Sequence, residues 1–152
     1  MKHLLVSGLF GIACLLACTA QAQVVKDPSH WSFTAKRITA TEVEVTASVK
    51  LDGNWHVWSL EPGGDGTLIA PSFEFEKGTA VMGKPGETGN RQSMKLEFLE
   101  EGKQLVYYYE HTASFSQKIK TKATGVKGEV QYQLCNDQMC LPPRSQAFDL
   151  TF

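Results

Sequence analysis

Two cysteines carry most of the chemistry that this chain could perform. They stand in Gln131-Tyr132-Gln133-Leu134-Cys135-Asn136-Asp137-Gln138-Met139-Cys140-Leu141-Pro142-Pro143, where an alternating run enters the first thiol and two prolines follow the second. Thiol-disulfide exchange needs an exposed sulfur, a second thiol to resolve the mixed disulfide, and a surface that admits another protein's cysteine. The polar insert Asn136-Asp137-Gln138 keeps the loop at the surface, and a tight hairpin would hold both sulfurs within bonding reach. Pro142 and Pro143 have no backbone N–H to donate, so they stiffen the exit and end regular sheet pairing. The pair reads as a redox couple. An inert structural staple is the alternative, since secreted domains do carry small local bridges. In the chain-entropy account, however, a bridge closing about six residues removes only roughly 2 kcal/mol of unfolded-state freedom, well below what distant cysteines supply. Asp137 disfavours a neighbouring thiolate, and no helix start or adjacent cation is at hand to depress a thiol pKa. Ordinary thiols governed by access are therefore expected.

Other chemistries are weaker. His56, between Trp55 and Trp58, could take a proton from a nearby thiol, or could equally be a packed aromatic substitute. A zinc site from Cys135, Cys140, His56 and His111 has suitable ligand types but lacks the second ligand pair usual in structural zinc, so no metal and no cofactor is expected. A vicinal pair is not the single thiol with base and orienter of a cysteine protease. Tyr107-Tyr108-Tyr109 reads as strand filler.

The start of the chain suggests an address. Met1-Lys2-His3, an apolar run from Leu4 to Ala17, and the small residues Ala20 and Ala22 predict an export signal over residues 1–22, cleaved after Ala22. The apolar run is short for a membrane span. Leu15-Leu16-Ala17-Cys18 also resembles a lipoprotein signal, so anchoring through Cys18 is the alternative to a soluble periplasmic protein. Cys14 lies within the removed segment and Cys18 is removed or acylated, leaving Cys135 and Cys140 to bond with each other or with a partner. Residues 23–152 then fit one domain with a single core. Lys+Arg 15 against Asp+Glu 16 gives a formal charge of -1, which argues against nucleic acid as a partner.

The elements that must position the pair are strands. In residues 41–51, Val43, Val45, Ala47, Val49 and Leu51 share one face and polar residues take the other, a period of two. Asp52-Gly53-Asn54 predicts a hairpin turn into Trp55-His56-Val57-Trp58. Glycine and proline make 61–71 a loop and 78–92 a second irregular stretch. Shorter alternating runs are expected at 31–35, 72–76, 95–99, 104–110, 113–121, 128–134 and 148–152. About eight or nine strands with frequent turns and no helix predict an all-β, immunoglobulin-like antiparallel β-sandwich.

The segment Tyr132 to Pro143 resembles the redox loop of the amino-terminal domain of the thiol:disulfide interchange protein DsbD, in which Tyr-Gln-x-Cys, a short insert and Cys-x-Pro-Pro close an immunoglobulin-like domain. Asp52 to Trp58 is similar to that family's Asp-Gly-aromatic hairpin. The resemblance implies a protein-disulfide reductase type of electron relay. Cys140 would form mixed disulfides with thioredoxin-like periplasmic proteins, Cys135 would resolve them, and His56 and Trp58 would lie at the site rim. It also implies a membrane electron carrier, expected here in trans. The insert of four residues is one shorter than in the best-known members, and the family's cap loop, with its acidic residue and aromatic, has no clean match. The cap is expected within 83–92 or 61–68. The rival of another class is a non-enzymatic immunoglobulin-like binding module whose bridge pins a loop.

Overall fold

The computed structural model describes residues 26–152. The expected signal segment, Cys14 and Cys18 lie outside them. Nine strands follow in order: β1 Ser29–Arg37, β2 Glu42–Leu51, β3 His56–Gly63, β4 Ser72–Phe75, β5 Ala80–Lys95, β6 Leu105–Lys120, β7 Gly125–Tyr132, β8 Leu134–Cys135 and β9 Arg144–Thr151. One sheet has the order β1-β2-β6-β3-β8, with β5 along the other side of β6, and the second is β4-β7-β9. All pairings are antiparallel. The fold is the immunoglobulin-like β-sandwich that the alternation predicts.

Period-two patterning builds the core between the sheets. Val43, Val45, Ala47, Val49 and Leu51 of β2 are all buried, and Phe115 and Ile119 of β6 join them. Val126, Val130 and Tyr132 of β7 and Phe148 of β9 meet them from the opposite sheet. The aromatic residues of β1 cross the gap: Trp31 lies 4.7 Å from Tyr132 and Phe33 lies 5.1 Å from Phe148, centroid to centroid. Ahead of β1, the Asp27 carboxylate accepts a hydrogen bond from the Tyr132 hydroxyl at 2.6 Å and pairs with Arg144 at 3.3 Å, fastening the lead into β1 to the second sheet.

Four expectations about strands need correction. The Asp52-Gly53-Asn54 turn exists, with Trp55 N donating to Asp52 O, but it does not reverse the chain. β2 pairs with residues 112–120 of β6 and β3 with residues 106–110 on the same side, both antiparallel to it. The two strands thus run in line, and residues 52–55 are an excursion between them. Opposite that break β6 kinks at His111, whose φ of 61° is the one positive value of a non-glycine among the described residues. Residues 78–92, expected to be irregular, are mostly β5: its glycines fall at the register shifts between Met82 and Gly86 and between Gly89 and Arg91, so they bulge the strand without breaking it. Residues 95–99, expected as a strand, form a turn after Lys95, and the two runs expected at 104–110 and 113–121 are the single strand β6.

Sheet packing leaves no room at Gly128, where an added Cβ would strike the Glu74 carbonyl oxygen and lie 2.7 Å from the Phe148 ring. Gly128→Ala is expected to cost about 1–3 kcal/mol through overpacking, read as a lower urea midpoint at unchanged m-value. An unaltered midpoint would mean that β4 moves aside freely.

Candidate functional site

The cysteines sit on the outward face of the β3–β6–β8 corner. Directly opposed residues in an antiparallel ladder share a face. The row Glu110–His56–Cys135 and the pair Tyr108–Trp58 therefore face outward, while Tyr109–Val57–Leu134 turns into the main core. On the outward side Trp58, Val106 and Cys135 form a second apolar cluster with Leu99, and Leu68, Met94, Leu96 and Tyr108 pack against it. The pair thus rests on a small core of its own.

Cys135 and Cys140 are disulfide-bonded, with an S–S distance of 2.03 Å and Cα atoms 4.0 Å apart. They form an isolated antiparallel bridge, framed by Leu141 N donating to Leu134 O at 2.8 Å and Asn136 N donating to Met139 O at 2.9 Å. The Asn136 side-chain oxygen accepts from the backbone N–H groups of Gln138 and Met139, both at 2.9 Å, and so shapes the insert between the sulfurs. Gln133 Nε2 donates to Leu141 O just before the two prolines. This packing makes the two sulfurs unequal. Cys135 is 2 % exposed, whereas Cys140 is exposed. Only the second can be approached by another protein.

A cavity of about 360 Å³ opens beside the disulfide, lined by His56 and Trp58 from β3, Leu68, Met94, Leu96, Phe98 and the 136–139 insert. Its lips are apolar and open to solvent: Phe98 is 80 % exposed and Met139 48 %. His56 and Trp58 stand at this cavity as buried walls. Residues 83–92, one expected location of a cap, lie within β5 and line none of it; from 61–68 only Leu68 does. Sequence reasoning did not single out Met94, Leu96 or Phe98, held Leu68 only as the end of an expected cap segment, and took Tyr108 for strand filler. The available signal was Glu97-Phe98 just ahead of Glu100-Glu101-Gly102, an acidic residue and an aromatic before a turn, which the strand assignment over 95–99 concealed. The three tyrosines part ways: Tyr109 is core, Tyr108 lies 4.7 Å from the His56 ring, and Tyr107 sits under the Arg91 guanidinium at 4.0 Å.

His56 is enclosed, 3 % exposed, with its ring edge-on to Trp58 at 4.8 Å. Burial pushes its pKa down to about 4, the nearby Asp137 carboxylate opposing only in part. The ring is neutral at pH 7. Below its ordinary value of 6.5 the unfolded chain takes up a proton that the folded chain refuses, so stability falls as pH drops from 6.5 towards 4. At about 1.4 kcal/mol per pH unit the loss approaches roughly 3 kcal/mol, and His56→Phe should flatten urea unfolding across that window. An equally steep fall in the variant would assign the acid sensitivity elsewhere. Among the described residues no group of three or more His, Cys, Asp or Glu side chains could hold a metal ion, and no helix is long and apolar enough to cross a membrane.

Comparison with known proteins sharpens this geometry. The N-terminal periplasmic domain of ScsB from Proteus mirabilis superposes with a TM-score of 0.63 at 14% identity, over 82% of this chain and 47% of that one. The chain thus spans about half the length of that relative. The reduced N-terminal domain of Neisseria meningitidis DsbD gives 0.53 at 16% identity, over 79% and 84%. A chain of the complex between the DsbD and PilB N-terminal domains from the same organism gives 0.51 at 14% identity, over 80% of each. No curated protein sequence matches. At these identities the superpositions establish the fold. The family assignment comes from the sequence: residues 21–151 match the family described as the N-terminal region of thiol:disulfide interchange protein DsbD. With that match running from ahead of β1 to the end of β9, through the cysteine loop, the chain belongs to the DsbD N-terminal domain family.

Proposed function

We propose that this protein is a periplasmic thiol-disulfide exchange domain that relays reducing equivalents through Cys135 and Cys140 to oxidised exported proteins. The observation that carries the reading is the asymmetry of the pair, one sulfur exposed and the other buried beneath it. A thiolate of a reduced thioredoxin-like donor attacks Cys140 Sγ. The Cys135–Cys140 bond breaks as the intermolecular bond forms, and Cys135 departs with the electron pair and takes up a proton. The donor's second thiolate then attacks its own bonded sulfur, and Cys140 leaves and is protonated in turn. Two electrons and two protons have passed from the donor dithiol, now a disulfide, to this pair. The reverse sequence, with Cys140 attacking the disulfide of an acceptor and Cys135 resolving it, delivers them onward. His56 and Trp58 serve as the wall behind the sulfurs, and Phe98 and Leu68 as the shield beside them. Export by a signal over residues 1–22 and supply from a membrane-linked, thioredoxin-like donor complete the reading.

The test is to mix the natively folded, oxidised protein with reduced thioredoxin and count new thiols by alkylation and mass. Appearance of two thiols at Cys135 and Cys140, with a glutathione equilibrium within reach of biological dithiols, is the expected result. A folded protein whose disulfide ignores reduced thioredoxin would be a stapled binding module instead.

A further inference from the structure

Behind the disulfide two buried nitrogens have no hydrogen-bond partner, His56 Nε2 and Trp58 Nε1, and no other buried side-chain nitrogen or oxygen among the described residues is so placed. Leaving such an atom unpaired is costly, so folded proteins seldom do it without a reason. Both atoms belong to residues that wall the same cavity beside Cys135. His56 is the direct cross-strand partner of Cys135, an arrangement in which the two side chains start about 5 Å apart on one face. Its ring is wedged between Trp58 and Tyr108, with centroids 4.8 and 4.7 Å away, so turning Nε2 towards solvent would break both ring contacts. The other groups facing it are Glu110, opposite on β6, and Asp137, in the insert after β8, both anionic when charged. No cation is among them. A disulfide sulfur has no proton to offer, whereas a thiol has one S–H donor.

We infer that His56 is a positioning residue for the exchange reaction, its Nε2 accepting a hydrogen bond from the Cys135 thiol once the disulfide is reduced. The inference rests on the exchange role proposed above for the pair. The proton on that thiol is the one Cys135 takes up when it leaves Cys140, so no further reactant is needed. The neutral imidazole acts as acceptor, and the exposed carboxylate of Asp137 nearby disfavours a buried thiolate, which keeps Cys135 a thiol. The bond also fixes its side chain beneath the loop, ready to resolve the mixed disulfide at Cys140. The unpaired nitrogen is thus a cost carried by the oxidised state and relieved on reduction, so His56 draws the equilibrium towards the dithiol.

Nitrogen NMR of the ¹⁵N-labelled wild-type protein tests this directly, with a phosphine as reductant. The expected result is a His56 Nε2 resonance that remains of the unprotonated type and shifts upfield on reduction, while the exposed His30 and His111 do not change. An unaltered His56 Nε2 signal, or one that becomes protonated, overturns the inference. Glutathione equilibria give a second readout. His56→Phe should favour the disulfide about tenfold more than wild type, equivalent to about 30 mV more negative, and His56→Gln, which keeps an amide acceptor, should recover part of the difference. Wild-type equilibria in both variants would again overturn it. Should a variant fail to fold, the wild-type spectra still decide. The two readings fail separately: refusal to react with thioredoxin removes the exchange role, whereas exchange with an unmoved His56 signal removes only this bond.

Discussion

Cys135→Ser is expected to turn the protein into a trap that accumulates a near-stoichiometric mixed disulfide with a thioredoxin-like partner, and Cys140→Ser is expected to reduce that adduct to background. The argument is one of access and timing. Exchange begins at the sulfur a foreign thiol or disulfide can reach, and Cys140 is exposed while Cys135 is 2 % exposed under the second apolar cluster. With serine at 135, Cys140 still attacks an oxidised partner, but no neighbouring thiol remains to release it, so the intermediate persists. With serine at 140, the remaining thiol is buried and the first bond cannot form. Non-reducing electrophoresis and intact mass on the folded variants check both outcomes. Equal trapping by the two variants would show that the buried sulfur is reachable, and the division of roles would fall.

Trp58→Ala is expected to be the most damaging substitution near the site. The indole is 2 % exposed, stands edge-on to His56 and anchors the cluster that includes Cys135, Val106 and Leu99. Truncating a buried tryptophan removes its transfer free energy and leaves a cavity, together worth about 3–5 kcal/mol, a large share of a small domain's stability. The damage should be local as well as global. Without the indole, the outward face loses the support that keeps Cys135 from solvent, so alkylation of Cys135 in the reduced protein should accelerate to approach that of Cys140. Urea unfolding and thiol-specific mass labelling measure the two parts. A stability within 1 kcal/mol of wild type, on the scale of a surface substitution, would show that the cluster contributes little.

Much of this was readable from residue order because it is local chemistry. Alternation in β2 fixes which side chains are buried whatever the strand pairs with, and the Cys135 to Pro143 segment carries its own hairpin hydrogen bonds, its Asx turn at Asn136 and its proline stop. The cysteine pair, the all-β class and the family resemblance all follow from such short-range patterns. Partner choice does not. Asp52-Gly53-Asn54 has the composition of a reversing turn, yet β2 and β3 continue along one side of β6, because the kink at His111 lets that single strand serve both. Gly83, Gly86 and Gly89 look like loop residues in sequence but are accommodated as bulges once β6 supplies a full-length neighbour.

The same division runs through the site. Sequence alone determined that two thiols share a short, proline-braced loop with histidine and tryptophan on a nearby strand. Only the tertiary structure decided that one sulfur is covered and the other open, that His56 faces Cys135 across a ladder with its Nε2 unpaired, and that Leu68 and the turn bearing Phe98 line the cavity beside the pair. Burial and cross-strand opposition depend on segments far apart in the chain, and no local pattern encodes the distance between them.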